Sequence, residues 1–337
     1  MVRLRLAVAS SSASVDRPVG THSSGADGIQ ESVVPTIFID GEAGTTGLGI
    51  RQRLTGLSSV RLLSIPDADR KNPAERQKRM ADADLIILCL PDAASREAVA
   101  LAAALGPDAP RVLDASTAYR IDPDWVFGFP ELTAGQADKI RAASHVSNPG
   151  CYSTGAIALL RPLVEAGKIA PHTPLTINAI SGYSGGGKSM IEAHEAEGGP
   201  AFELYALGLA HKHVPEIEIQ AGLSRPPVFV PSVGHFRQGM LVSIPLHLDT
   251  LPRCPSAVEL TEVLAAHYAD APEIAVSSEP LGTLQPEALN DTNRLSLHVF
   301  TNEARRHALL VARLDNLGKG ASGAAVQNVR LMLGLDG

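Results

Sequence analysis

Residues 36–57 read TIFIDGEAGTTGLGIRQRLTGL. A short apolar run leads into a loop with three glycines, and an amphipathic stretch with helical spacing follows. This order predicts a buried strand, a tight turn and a helix. The next runs, VRLLSI, DLIILCLP, REAVALAAAL and RVLDAS, repeat the alternation, which is typical of parallel strands joined by crossover helices. We therefore predict an α/β fold that begins with a Rossmann-type parallel sheet.

A second domain is predicted to begin after Asn148-Pro149-Gly150, where the pattern changes. Residues 152–166 have helical spacing and end at Gly167, and the later runs LTINAI and GMLVSIPLHL resemble longer sheet strands. The stretch HALLVARLDN supplies one more candidate strand. The final QNVRLMLGL has helical spacing and could pack back on the first domain.

Composition narrows the class of protein. A chain of 337 residues with 45% hydrophobic content can bury a large core, and its length favours two domains. The net charge of -7 argues against a nucleic-acid partner. Three widely spaced cysteines suit a reducing compartment, so we expect the cytoplasm. No apolar run approaches the roughly 20 residues of a membrane span. Residues 1–34 are predicted to be a disordered tail, with an organellar presequence as the alternative.

The glycine loop is a candidate phosphate site. Gly41, Gly44 and Gly47 lie between a predicted strand and a predicted helix, where the backbone can approach a pyrophosphate at the helix N-terminus. The spacing is GxxGxxG rather than GxGxxG, so a plain strand-to-helix turn is the alternative.

The end of the second strand bears on which nicotinamide cofactor is bound. Ser64 stands where an NAD-binding unit usually places an acidic residue, and Arg70 and Lys71 follow. A hydroxyl and cations favour the additional phosphate of NADP. Asp67 keeps the alternative open, because its carboxylate could bond the ribose of NAD instead.

Cys151 is the candidate nucleophile, since it directly precedes a predicted helix. Unpaired N–H groups and the helix dipole at such a position favour the thiolate. Cys89 lies inside an apolar run and is expected to be a buried hydrophobe, whereas Cys254 is expected to be a loop thiol.

The motif His211-Lys212-His213-Val214-Pro215-Glu216 is the next candidate. A histidine near the cysteine could take up its proton and return it later. Zinc binding or simple solvent exposure are the alternatives, although no matching ligand set supports a metal. His194 and Glu195 are assigned to a solvated helix face.

Two further segments suggest anion binding. Residues 181–188, SGYSGGGK, resemble an anion cradle but lack the spacing of a P-loop. Arg120 could hold a phosphate or carboxylate with two parallel hydrogen bonds. A surface arginine beside Asp122 is the alternative.

The motifs GEAGTTG, DASTAYR, NPGCYSTG, SGYSGGGKS, HKHVPE, GHFRQGM and DNLGKGASGAAVQN occur in this order from Thr36 to the C-terminus. Together they resemble the N-acetyl-γ-glutamyl-phosphate reductase family of arginine biosynthesis, in its shorter type, within the aspartate-semialdehyde dehydrogenase superfamily. Ser153 and the run Ala118-Tyr119-Arg120 depart from the longer type, which limits what can be transferred from it.

The resemblance implies a fold and a reaction. The implied architecture is a Rossmann domain at 35–150, completed by 316–337, with an inserted α+β catalytic and dimerisation domain around a mixed sheet at 151–315. The implied reaction is NADPH-dependent reduction of a small acyl phosphate to an aldehyde through a thioester on the cysteine, in a homodimer or homotetramer. The rivals are an aspartate-semialdehyde dehydrogenase, a non-catalytic NADP-sensing protein and a cysteine hydrolase.

The resemblance also implies roles for individual residues. Cys151 matches the nucleophile and His213 the acid/base residue. The expected substrate-binding residues are Arg120, Asn148, Lys188 and His211. The expected cofactor-binding residues are Gly41, Gly44, Thr45, Thr46 and Gly47 at the pyrophosphate, Ser181, Gly182, Asn316 and Lys319 near the nicotinamide half, and Ser64, Arg70 and Pro91.

Overall fold

The computed structural model describes residues 34–277 and 279–335. The predicted tail therefore lies outside the described residues, except for Val34. Among the described residues, no helix is long and apolar enough to cross a membrane.

The first sheet has six strands, all paired in parallel, in the order β2-β1-β3-β4-β6-β5. Its strands are β1 Thr36–Asp40, β2 Arg61–Leu63, β3 Leu85–Leu88, β4 Arg111–Asp114, β5 Val126–Phe127 and β6 His145–Ser147. Its helices are α1 Thr45–Thr55, α2 Pro73–Ala81, α3 Asp92–Ala103 and α4 Gln136–Ala142. The predicted Rossmann-type sheet is confirmed. The strand order reverses between β1 and β3, which is where open α/β sheets bind ligands.

Strands β1 and β3 of this sheet are buried along their whole length, which explains why their sequences are largely apolar. The one acidic residue of β1, Asp40, is buried with a counter-ion: Arg76 Nε and Nη2 lie 2.9 and 2.8 Å from its Oδ2. This pair fixes the end of β1 directly before the glycine loop.

The second sheet has seven strands in the order β11-β12-β13-β10-β7-β9-β8 and mixes parallel with antiparallel pairs. Its strands are β7 Thr176–Gly182, β8 Phe202–Leu204, β9 Val228–Gly234, β10 Met240–His247, β11 Ile274–Ser277, β12 Leu295–Asn302 and β13 His307–Leu314. Four helices, α5 Cys151–Glu165, α6 Gly187–Glu195, α7 Val214–Ala221 and α8 Ala257–His267, belong to this part of the chain. The predicted mixed sheet is confirmed.

The two faces of the second sheet differ. In β10 every second residue, beginning with Met240, packs into the core against α5. The alternate residues, such as Leu241, line the other face together with Ile180 and Leu309, and a cavity of 690 Å³ lies there. One face of a largely apolar sheet is thus left open.

Helix α9, Gly323–Leu333, returns to the first sheet, where Ala325 and Val329 share a core with Ile37 of β1. The guanidinium of Arg111 donates hydrogen bonds to the carbonyl oxygens of Ala143 and Met332. It thereby provides partners for carbonyl groups at the C-terminal ends of α4 and α9. The predicted domain boundaries remain predictions.

Candidate active site

Cys151 is the first residue of α5, and the segment Asn148-Pro149-Gly150 joins it to the carboxyl end of β6. Gly150 is the N-cap, and no described side chain caps this helix. The half-buried Cys151 lines a cavity of 210 Å³. A nucleophile, free N–H groups and the positive end of a helix dipole therefore meet in one cavity.

Arg120 and His213 close over Gly150. A methyl group on Gly150 would overlap His213 Nε2 and would lie 2.5 Å from Arg120 Nη1. Both side chains are buried, with Arg120 8% exposed. The alternative of a surface arginine is therefore wrong, and so is that of a solvent-exposed His213. Only a glycine lets a base and a cation approach the start of α5 so closely.

A buried carboxylate, Glu216, connects these groups. Its Oε1 accepts a hydrogen bond of 2.8 Å from the N–H of Gly150, and its Oε2 accepts one of 2.7 Å from Ser153 Oγ. Arg120 Nη1 lies 3.3 Å from the same Oε2. Arg120 also donates to the carbonyl of Ala115, at 3.1 Å.

The loop that carries Arg120 is anchored by Asp114 at the end of β4. Asp114 accepts hydrogen bonds from Ser95 Oγ and, at 2.6 Å, from Ser116 Oγ. Burial raises the pKa of Asp114, while these hydroxyl donors lower it. The DASTAYR motif is therefore a turn built to bring Arg120 back toward the cysteine.

The electrostatics of Cys151 differ from the prediction. Burial is the largest influence and raises the pKa of the thiol, whereas Arg120 and the N–H of Tyr152 lower it. The helix N-terminus acts in the predicted direction, but desolvation exceeds it. In the free protein Cys151 is a thiol, so a base is needed to generate the thiolate.

His213 has the properties of such a base. Burial, then Arg120, His211 and Lys212, lower its pKa well below 6.5, so the imidazole is neutral. Its Nδ1 is buried and has no hydrogen-bond partner among the described residues. Burial likewise lowers the pKa of His211 to about 4. His211 Nδ1 accepts a hydrogen bond of 3.1 Å from the N–H of His213.

One histidine prediction is wrong. His194 is buried rather than on a solvated helix face, because its ring stacks on Tyr183 at 5.1 Å and on His235 at 5.7 Å. Tyr183 lies in the turn directly before α6 and His235 follows β9, so helical periodicity alone does not reveal this burial.

The glycine loop fits a dinucleotide. Gly41 has φ +89°, and a methyl group there would overlap the carbonyl of Cys89; one on Gly47 would lie 2.5 Å from the carbonyl of Gly41. In the described structure no side chain caps α1 at Gly44, and the first turn of α1 contains no acidic residue. A loop this tight, with open N–H groups at a helix start, suits a pyrophosphate.

Charged residues surround the cavity of 460 Å³ beside this loop. Arg51, Arg70 and Lys71 line it, as do three acidic residues, Asp40, Glu42 and Asp67. Arg51 Nη1 lies 2.7 Å from Glu42 Oε2, and Arg70 Nη1 lies 3.5 Å from Asp67 Oδ1. Asp67 is therefore already paired with Arg70.

The structure brings most predicted site residues to these two cavities. The cavity at Cys151 is lined by Thr45, Thr46, Arg120, Asn148, His211, His213 and Asn316, and the cavity at the glycine loop by Gly41, Gly44 and Arg70. The described lining of either cavity does not include Gly47, Ser64, Pro91, Ser181, Gly182, Lys188 or Lys319. Lys188 is largely exposed, 3.7 Å from Glu192. Lys319 is fully buried, 2.7 Å from Glu131 Oε1.

Several residues at the site carried no predicted role, and four of them bear on its chemistry. Lys212 and Tyr205 line the cavity at Cys151, Gly320 packs against Cys151, and Glu216 connects Arg120 to α5. Glu216 and Lys212 belong to the quoted HKHVPE motif, so their presence near the cysteine was a detectable signal. Tyr205 lies in a segment without a motif. Among the residues that the structure describes, no three His, Cys, Asp or Glu side chains are grouped so as to hold a metal ion.

Comparison with known proteins identifies the family. Residues 52–140 match the model of the semialdehyde dehydrogenase NAD binding domain, and residues 151–316 match that of the semialdehyde dehydrogenase dimerisation domain. Among solved structures, a probable aspartate-semialdehyde dehydrogenase from Pseudomonas aeruginosa aligns with a TM-score of 0.67. The alignment covers 89% of this chain and 98% of the Pseudomonas chain at 16% identity, which shows that the two share a fold.

Relatives by sequence are much closer. A Burkholderia lata protein named N-acetyl-gamma-glutamyl-phosphate reductase is 50% identical over 307 residues, 89% of this chain and 96% of that protein. N-acetyl-gamma-glutamyl-phosphate reductase 2 of Pseudomonas putida is 52% identical over 309 residues, 89% of this chain and 97% of that protein. With such identity along nearly the whole length, the chain belongs to the N-acetyl-gamma-glutamyl-phosphate reductase family.

Proposed function

We propose that this protein reduces N-acetyl-γ-glutamyl phosphate to N-acetylglutamate 5-semialdehyde with NADPH, a step of arginine biosynthesis. The observation that carries the proposal is the convergence of Cys151, His213 and Arg120 around Gly150, in a cavity whose lining includes Thr45 and Thr46 of the glycine loop. A nucleophile, a neutral base and a cation beside a dinucleotide loop form a site for reductive acyl transfer.

The first step makes a thioester on Cys151. Neutral His213 takes the thiol proton as the sulfur attacks the acyl carbon, and the bond from that carbon to the phosphate oxygen breaks. The imidazolium returns the proton to the departing phosphate, which leaves as inorganic phosphate. A thiolate is a strong nucleophile and later a good leaving group, which makes a thioester the suitable intermediate.

Two features of the site assist this chemistry. Arg120 offers a fixed cation for the phosphate or the carboxylate of the substrate, and its buried Nε–H has no partner among the described residues. The N–H groups at the start of α5 stabilise the oxyanion that forms on the acyl carbon. When bound, NADPH supplies the hydride that converts the thioester to the aldehyde and releases the thiolate, which then takes up a proton.

The cofactor is held by the glycine loop and the cations beside it. The N–H groups at the start of α1 bind the pyrophosphate, with Gly41 and Gly44 allowing the close approach. Arg51, Arg70 and Lys71 favour the additional phosphate of NADP. Asn316, which lines the cavity at Cys151 together with Thr45 and Thr46, would hold the nicotinamide half.

We extend the proposal to assembly and location. The open apolar face of the second sheet, in the part of the chain that matches a dimerisation-domain model, supports a homodimer or a homotetramer built from it. The boundaries of the two family matches support a cofactor-binding domain at 35–150 with 316–337 and a catalytic domain at 151–315. The three free cysteines support the cytoplasm.

The closest rival is an aspartate-semialdehyde dehydrogenase, which would share this chemistry. The test is the reverse reaction, in which the absorbance of NADPH reports its formation. One cell contains N-acetylglutamate semialdehyde, phosphate and NADP, and a parallel cell contains aspartate semialdehyde in place of the acetylated substrate. We expect a phosphate-dependent signal with the acetylated substrate alone. A signal only with aspartate semialdehyde would overturn the substrate assignment, and silence in both would favour a non-catalytic NADP-sensing protein.

A further inference from the structure

Glu216 occupies an unusual position, because it lies between three parts of the site that come from separate segments. It belongs to the first turn of α7. That helix begins directly after His213, which is its N-cap residue. Glu216 accepts hydrogen bonds from Gly150, the N-cap residue of α5, and from Ser153 in the first turn of that helix. It also faces Arg120, on the loop after β4. At 1% exposure it has no direct access to solvent.

The cost of burying this carboxylate indicates a specific role. A buried charge is tolerated only with excellent hydrogen bonding, and a buried ion pair adds little stability relative to an apolar replacement. Three partners within 2.7–3.3 Å satisfy Glu216. Two of these partners lie at the reacting groups: Gly150 directly precedes the nucleophile, and Arg120 lines the same cavity. Glu216 itself is three residues from His213.

We propose that Glu216 is a positioning residue, which holds Arg120, the start of the Cys151 helix and His213 in one mutual arrangement. This inference rests on the proposed function for its effect on turnover. Its effect on the thiol follows from geometry alone and can be measured without substrate.

The titratable groups that face Cys151 affect the pKa of its thiol, and this makes the proposal measurable. They are Arg120 from the loop after β4, Lys212, His213 and Glu216 at α7, and the phenols of Tyr152 and Tyr205. Glu216 is the acidic member and raises the pKa of the thiol, whereas Arg120 lowers it. Removal of the carboxylate releases Arg120, which lowers the pKa of the thiol more strongly than Glu216 raises it. Cys151 therefore becomes less acidic, and turnover falls.

The experiment compares Glu216→Gln, Glu216→Asp and the matched control Glu218→Gln, which makes the same charge change two residues along α7. Alkylation of Cys151 by iodoacetamide is measured against pH by peptide-resolved mass spectrometry, and kcat and KM are measured in the reverse reaction. We expect Glu216→Gln to move the alkylation midpoint to higher pH and to lower kcat at least about tenfold. Glu218→Gln should match the wild type.

Glu216→Asp keeps the charge but shortens its reach. We expect an alkylation midpoint near that of the wild type with a reduced kcat, and this variant decides the question if Glu216→Gln does not stay folded. A midpoint unchanged in Glu216→Gln, with only a lower melting temperature, would assign a purely structural role and overturn the proposal. Wild-type kcat in Glu216→Asp would overturn it too. If the wild type lacks reductase activity, the proposed function fails while the alkylation result still judges Glu216.

Discussion

The Cβ atom of Cys151 lies 2.9 Å from the point that a methyl group on Gly320 would occupy. Gly320 belongs to the π-helical turn Gly318–Ser322, and neighbouring residues of that segment line the same cavity. Gly320 therefore packs so closely against Cys151 that only a hydrogen atom fits in the place of a side chain there.

Replacement of Gly320 by alanine should displace Cys151. A shift of about 1 Å in a reacting group costs up to 100-fold in rate, so we expect kcat to fall roughly 10- to 100-fold with little change in NADP affinity. Gly56→Ala is the control, since a methyl group there meets its nearest atom only at 3.8 Å. Full activity in Gly320→Ala would show that the turn yields rather than the cysteine.

Cys151→Ser tests the covalent step. We expect loss of acyl-phosphate reduction, because a serine hydroxyl is a far weaker nucleophile than a thiolate and a poorer leaving group. NADP binding, measured by calorimetry, should be retained because the glycine loop is untouched. Cys254→Ser changes an exposed thiol and should leave both properties intact. Normal turnover in Cys151→Ser would exclude the thioester route.

His213→Asn tests the base. The substitution removes the proton acceptor beside the thiol, so kcat should fall by roughly 100-fold or more. The alkylation rate of Cys151 at neutral pH should fall as well, because no neighbouring group then accepts its proton. An effect confined to KM would demote His213 to a binding residue.

Substitution of Lys319 distinguishes a structural role of this residue from a role in binding the cofactor. Its ammonium is fully buried, 2.7 Å from Glu131 Oε1 and 2.7 Å from Gln327 Oε1. Lys319→Met would leave the carboxylate of Glu131 unpaired, so we expect a loss of roughly 3–5 kcal/mol in the free energy of unfolding. If the nicotinamide contact implied by the resemblance is absent, NADP affinity should be unchanged.

The controls for this prediction are a double variant and a surface pair. Adding Glu131→Gln should recover part of the lost stability, because the unpaired charge is then removed. Lys168→Met breaks the more exposed pair with Glu259 and should cost much less stability than Lys319→Met, because solvent screens the exposed pair. Weakened NADP binding in Lys319→Met without loss of stability would reinstate the cofactor role.

The alternation of strands and helices was predictable, because buried parallel strands such as β1 and β3 are largely apolar. Cys151 and Arg120 were also identifiable, since a motif marks each. The interactions of Lys319 were not, because its partner Glu131 lies 188 residues away in sequence. The same holds for His194, whose burial depends on rings from other segments. Tertiary partners rather than local patterns determine these cases.

The protonation state of Cys151 could not be predicted from the sequence either. The position of Cys151 before a helix predicted a thiolate, and that local effect is present in the N–H of Tyr152. Desolvation depends on how completely α7 and the π-helical turn enclose the sulfur. No local pattern around Cys151 carries that information.

The buried neutral histidines predict how stability depends on pH. The folded pKa of His213 lies well below its ordinary value of 6.5, because burial disfavours the imidazolium. Below about pH 6.5 the unfolded chain therefore binds a proton that the folded chain does not. The free energy of unfolding should fall as pH is lowered, with a slope of at most about 1.4 kcal/mol per pH unit from this residue. Above about pH 6.5 His213 adds no slope.

Chemical denaturation at several pH values between about 7 and 5 measures this slope. His213→Asn should give a flatter curve than the wild type, whereas His172→Asn, at an exposed position, should give a parallel one. Carboxyl groups with raised pKa values, such as Asp114, cancel in the comparison because all three proteins retain them. His211, with a folded pKa of about 4, should contribute in the same direction and more weakly, since solvent screens a partly exposed ring. Parallel curves for His213→Asn and the wild type would show that the pKa of His213 is the same in the folded and unfolded chains, so burial would not keep its imidazole neutral below about pH 6.5.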